Sequence, residues 1–108
     1  MENKVKSFQA PIENALALLE RRWAMRIVWE LRRDRLAFVD LVERLGISPS
    51  VLTSRLGELV EAGVCEVEKS GRGYSLTGRG RELARVLYEL NRWANTGADG
   101  SSASILDS

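Results

Sequence analysis

Residues 46–63 read GISPSVLTSRLGELVEAG, and the folding of this stretch decides what the chain can be. Ser48 followed by Pro49 is a helix start. A serine hydroxyl accepts a hydrogen bond from the backbone N–H groups of the first turn, and proline suits the first helical position, where an N–H would go unpaired. Val51, Leu52, Leu56 and Leu59 then mark one buried side, and Gly63 stops the helix. Gly46 ends the helix before it, as glycine commonly does. Two helices thus meet across a turn of about four residues, the geometry of a helix-turn-helix. The exposed positions of the second helix are Ser48, Ser50, Thr53 and Ser54, hydroxyls where a DNA-reading helix usually shows Arg, Lys, Asn or Gln. Either this helix reads DNA with little charge of its own, or it no longer reads DNA.

Upstream, Phe38, Leu41, Val42 and Leu45 give the first helix of that pair its inward face. Trp23, Ile27, Val28 and Leu31 share a face over residues 23–31. Ile12, Ala15, Leu16 and Leu19 recur at helical spacing behind Pro11. RRDR, residues 32–35, reads as a charged loop. Downstream, VCEVEK alternates, with Cys65 and Val67 on one face, and YSL answers it with Tyr74 and Leu76 two apart. SGRG between them is turn-prone, so the pair reads as a β-hairpin. Thr77 caps a last helix with Leu83, Val86, Leu87, Leu90 and Trp93 on one stripe. No internal repeat is present. The fold class is therefore mainly α with a small β-hairpin, a winged helix-turn-helix. Residues 1–10 form an N-terminal arm, residues 11–95 the domain and residues 96–108 a turn-rich, flexible tail.

The 108 residues suit one domain with a modest core, and 44% hydrophobic with 29% charged residues is the balance of a globular protein. No apolar run approaches the roughly 20 residues that span a bilayer. The N-terminal MENKVKSFQAPIEN has no apolar core or cleavage site, so no secretory signal is expected and a cytoplasmic location follows. The single cysteine, Cys65, rules out an internal disulfide. Without histidine the chain lacks the usual neutral-pH base and the commonest metal ligand. The glycines of SGRGYSLTGRGREL lack the strand and the Lys-Ser/Thr of a phosphate loop. No enzyme and no cofactor is expected. Net charge is only +1, but residues 69–92 hold six basic residues against two acidic ones. Thirteen of the 16 basic residues are Arg, whose planar fork suits phosphate.

PIENALALL with Trp23, then FVDLVERLGISPSVLTSRLGELVEAGV and YSLTGRGREL, together resemble the HxlR-type winged helix-turn-helix transcriptional regulators. The resemblance covers residues 11–93. It implies a prokaryotic homodimer joined through its terminal helices, binding a pseudo-palindromic operator with the helix of residues 48–61 in the major groove. Five departures stand out. Ala10 occupies the place where sensing members carry a cysteine, Glu20-Arg21 replaces a glycine pair, and Ser50 and Gly57 replace basic residues. Ala37 stands for a family Arg, with Arg35 close by, and the hairpin loop is shorter than usual.

The expected DNA contacts are Arg35, Ser48, Ser50, Thr53, Ser54, Arg55, Lys69 and Arg72. Ser48 both caps its helix and presents N–H groups to a phosphate. Ser50, Thr53 and Ser54 lie in the turns nearest the base edges, and the Thr53 methyl can touch thymine; the plainer reading is a solvated polar face. Arg55, the central cation, contacts DNA or pairs within the helix with Glu58. Lys69 and Arg72 sit at the hairpin tip, as a wing contact or as solvated loop. Arg79 and Arg81 oppose the dipole of the last helix, which hints at an outside anion. Cys65 packs as a small apolar residue.

Trp29, off the main face of its helix, lies at a dimer interface or lines a pocket, and interface is the safer reading. Leu83, Val86, Leu87, Leu90 and Trp93 form the rest of that interface, joined by Phe8 from the arm. Double-stranded DNA and a second copy of the chain are the expected partners, without a membrane; the sequence names no small-molecule effector. The rival reading is a winged-helix protein-contact module, favoured by the depleted charge of the reading helix.

Overall fold

The computed structural model describes residues 11–97. Five helices and one hairpin follow in order: α1 (Pro11–Leu19), α2 (Ala24–Glu30), α3 (Phe38–Leu45), α4 (Pro49–Glu61), β1 (Cys65–Val67), β2 (Tyr74–Leu76) and α5 (Gly78–Thr96). Residues 1–10, with Phe8, and residues 98–108 of the tail lie outside the described residues.

The core is wholly apolar among the described residues. Ile27 and Val28 of α2 meet Leu41 of α3 and Leu52, Leu56 and Leu59 of α4, all essentially inaccessible to solvent. Each such side chain contributes about 1.5–3 kcal/mol of burial, so α4 is seated by three leucines. Val64, Cys65, Leu76 and Ala84 extend the core beneath the hairpin and α5.

The caps are as the sequence requires. Ser48 Oγ accepts from the Val51 N–H at 3.2 Å, with Pro49 opening α4. Gly46 closes α3 in the left-handed region, φ 68°. Thr77 Oγ1 accepts from the Gly80 N–H at 3.0 Å and donates to the Gly63 carbonyl at 2.5 Å, joining the end of α4 to the start of α5. Gly80 is required there, because a Cβ would run into the Val64 carbonyl oxygen.

The hairpin pairs Cys65 with Leu76, Glu66 with Ser75 and Val67 with Tyr74, antiparallel. One expectation is corrected here. Cys65 is buried but Val67 is 54% exposed, because the ribbon leaves the core after one residue pair. The charged loop of residues 32–35 leads into a third strand position. Leu36 and Tyr74 exchange both backbone hydrogen bonds, at 2.9 and 3.0 Å. Gly73 allows this approach, since a Cβ would stand 2.6 Å from the Leu36 oxygen.

The α1–α2 corner differs as well. Trp23 precedes α2 with left-handed backbone, φ 79°, and is half-buried. Its indole is flanked by the Arg22 and Arg26 guanidinium groups, 5.5 and 6.0 Å from the ring centre. The chain has to reverse between Leu19 and Ala24, and the reversal falls on Trp23 in the absence of glycine.

Candidate nucleic-acid interface

The reading helix turns Leu52, Leu56 and Leu59 inward, which leaves Ser50, Thr53, Ser54 and Gly57 exposed on its outer side. Ser48 and Ser50 place their hydroxyls 3.4 Å apart at its N-terminus. The first turn therefore offers backbone donors and small polar groups, with no bulky side chain to hold a phosphate or base edge away. Lys69 and Arg72 are exposed on the tight hairpin loop, where Gly71 N–H donates to the Glu68 carbonyl at 2.7 Å. Arg35 is exposed too, beside the Leu36–Tyr74 bridge at the wing root.

Arg55 is placed differently from its neighbours. Its side chain is only 18% exposed. Nε donates to the Arg22 carbonyl at 2.9 Å, and a terminal nitrogen reaches Glu58 Oε2 at 3.3 Å. Glu58 is also gripped from outside its helix by Arg21, at 2.7 and 3.1 Å. The Arg21 hydrogen bond and charge, aided by Arg55, hold the Glu58 carboxyl below its ordinary range. The sequence anticipated the Arg55–Glu58 pair as the plainer role of Arg55. It gave no sign of Arg21 and Arg22, since contacts 33 and 37 residues apart leave no local pattern. Arg81, suspected of waiting for an outside anion, donates instead to the Leu76 carbonyl at 3.1 Å.

Cys65 is buried, and burial pushes its thiol up to about 12, so it packs as an apolar residue rather than reacting.

The terminal helices carry the opposite surface. Ile12, Leu16 and Leu19 of α1 are exposed, and so are Val86, Leu90 and Trp93 of α5, with Trp93 71% accessible. Leu83 and Leu87 are half-buried against the protomer's own core. Trp29 faces a groove of about 440 Å³ between α2 and α5, with Met25, Leu87 and Leu90 among its walls. It stacks obliquely on Tyr88, ring centres 5.1 Å apart.

With this architecture in view, the HxlR-like helix-turn-helix family matches residues 18–101. The chain belongs to that family. HxlR-like proteins of this kind are DNA-binding transcriptional regulators. An uncharacterised HTH-type transcriptional regulator of Bacillus subtilis strain 168, YvaP, is 34% identical over 95 residues, covering 82% of this chain and 88% of its own. Among solved structures, quinone-bound YodB of B. subtilis is 31% identical with a TM-score of 0.72, covering 79% of this HxlR-like chain and 96% of that one. A possible HxlR family transcriptional factor of Thermoplasma volcanium is 27% identical with a TM-score of 0.69, covering 82% and 84%. No described helix is long and apolar enough to cross a membrane.

Proposed function

We propose that this regulator acts as a homodimer on a pseudo-palindromic operator, with α4 of each protomer in one of two major grooves about one helical turn apart. The observation that carries the reading is the outer side of α4: a capped N-terminus, a row of small hydroxyls and no side chain that obstructs a groove. Phosphate contacts supply most of the affinity in such complexes while base contacts select. Arg35, Lys69 and Arg72, doubled by symmetry, supply them here, together with the N–H groups behind Ser48. Ser50, Thr53 and Ser54 face the bases. Selectivity rests in part on operator shape, since hydroxyls discriminate less sharply than a bidentate Arg or Asn. Arg55 joins the contacts by exchanging its Glu58 bond for a phosphate.

Val86, Leu90 and Trp93, with the exposed stripe of α1, form the dimer surface, flanked by Trp29. Leu83 and Leu87 support it from the core side, and Phe8 is proposed to reach it from the N-terminal arm. The protein works in the cytoplasm, where its DNA lies, and catalyses no reaction.

One observation favours the rival reading, a winged helix kept for protein contact: Arg55, the central cation of α4, is spent within the protomer. Fluorescence anisotropy with duplex from the protein's own upstream region and with scrambled duplex, across a salt series, separates the two. A regulator prefers its own duplex and loses affinity steeply as salt rises. Arg55→Ala is expected to weaken binding by roughly tenfold, as loss of a charged hydrogen bond does, while the oligomeric state is unchanged. No binding to either duplex at low salt selects the protein-contact reading.

A further inference from the structure

A second cavity, also about 440 Å³, opens at the loop between α2 and α3, on the other side of Trp29 and Glu30. Arg32, Arg33, Arg35 and Arg44 line it, against Glu30 and Asp34, leaving an excess of two positive charges. The acids are partly committed: Asp34 Oδ1 accepts from the Arg35 N–H at 2.8 Å, and Glu30 pairs with Arg44 at 3.4 Å. Arg32 is fixed in place. It lies 4.0 Å over the Trp29 ring and donates to the Trp29 carbonyl at 2.6 Å, yet its Nε is buried without a hydrogen-bond partner. That nitrogen is shut off from solvent, so the guanidinium groups open to the cavity are those of the exposed Arg33, Arg35 and Arg44. Arg32 and Arg33 also crowd the Tyr88 hydroxyl from α5, through hydrogen bonds and charge that hold the phenol below its usual range.

We propose that this cavity is a binding site for a small phosphate monoester. Planar guanidinium forks pair two oxygens at a time, and a monoester dianion matches the excess charge, whereas each DNA phosphodiester carries only one negative charge. The volume falls within the range of small-molecule sites, roughly 300–1,000 Å³, and leaves room for an organic group beyond the phosphate. None of the α4 hydroxyls, Arg55, Lys69 or Arg72 lines the cavity. Arg35 alone is shared with the proposed DNA contacts. The site therefore goes beyond the DNA-binding reading and does not depend on it.

Isothermal titration calorimetry of the full chain, without DNA, tests the site with glycerol 2-phosphate and inorganic phosphate against chloride at matched ionic strength. Saturable binding of one phosphate per protomer is expected, weakened about tenfold or more in Arg33→Ala and in Arg44→Ala. Both side chains are exposed, so the variants are expected to keep the parent's circular dichroism and melting temperature, which checks their fold. Heats no different from chloride overturn the proposal, as does phosphate binding that both variants retain. If the free protein ignores phosphate while either variant weakens duplex binding, the cavity is a DNA backbone contact and the small-ligand site falls. Failure of duplex binding alone, with phosphate binding intact, overturns the operator reading and leaves this site standing.

Discussion

The two ends of the protomer solve the same problem in opposite ways. Around α4, each apolar side chain of the buried face is enclosed by the protomer itself, and the polar contacts close on one another: Ser48 on Val51, Arg55 on Arg22, Glu58 on Arg21. Along α1 and α5, side chains of the same apolar type stand in solvent, Trp93 most of all. An amphipathic stripe is a request for burial, and only one of the two requests is met within a single chain. Apolar periodicity thus identifies a face without identifying what covers it.

The comparison breaks most severely if the closed end is hollowed. Leu56→Ala is expected to cost about 2–5 kcal/mol, as large-to-small core changes do, read as a shift of the urea midpoint. A loss no larger than that of an exposed leucine would mean the core repacks freely. Next comes the open end. Leu90→Glu is expected to remove about 2 kcal/mol or more of association energy, as at an interface hot spot. Analytical ultracentrifugation would then find monomers in place of the proposed dimer, with helix content retained. A variant that stays dimeric would move the interface off α5.

A smaller effect is expected from Glu58→Gln, which loosens the tie on Arg55. Duplex affinity should rise a few-fold; a fall would mean that Arg55 serves DNA binding by being held rather than by contact. The same substitution should flatten the acid limb of stability. Because Arg21 holds Glu58 below the ordinary carboxylate range, the unfolded chain takes up its proton first. The contribution is then full above the unfolded pKa of about 4.3 and is lost as pH falls through the lower folded value. The smallest response belongs to Cys65. With its thiol pushed up to about 12, folded protein should resist iodoacetamide at pH 8 and become labelled only in denaturant.

Much of this was legible from local signals. Ser48-Pro49, Gly46, Thr77 and the leucines of α4 each act within a turn or two, and each lies where its chemistry requires. The family resemblance, carried by the same stretches, agrees with the match to HxlR-like proteins. What escaped was long-range. The Leu36–Tyr74 bridge, the Arg21–Glu58 pair and the seat of Arg55 join residues 33 to 38 positions apart, and their partners are defined only by the finished fold. Helical spacing also grouped Trp23 with Ile27 and Val28, but spacing presumes that the helix has begun, and Trp23 lies one residue before its start. For α1, the pattern groups Ile12, Ala15, Leu16 and Leu19 as one face, and the protomer leaves all four exposed. It is Leu18, outside that face, that packs on the core.

Thr77 carries one more consequence. Its hydroxyl ties the last carbonyls of the reading segment to the first turn of α5, and Gly80 packs directly against Val64 at the same point. The joint is a welded elbow with no spare length in it. A rotation imposed on the far end of α5 is therefore delivered to α4 as an angle instead of being absorbed in a loop. Two such levers set against each other would gauge the spacing of a pair of DNA grooves as calipers do.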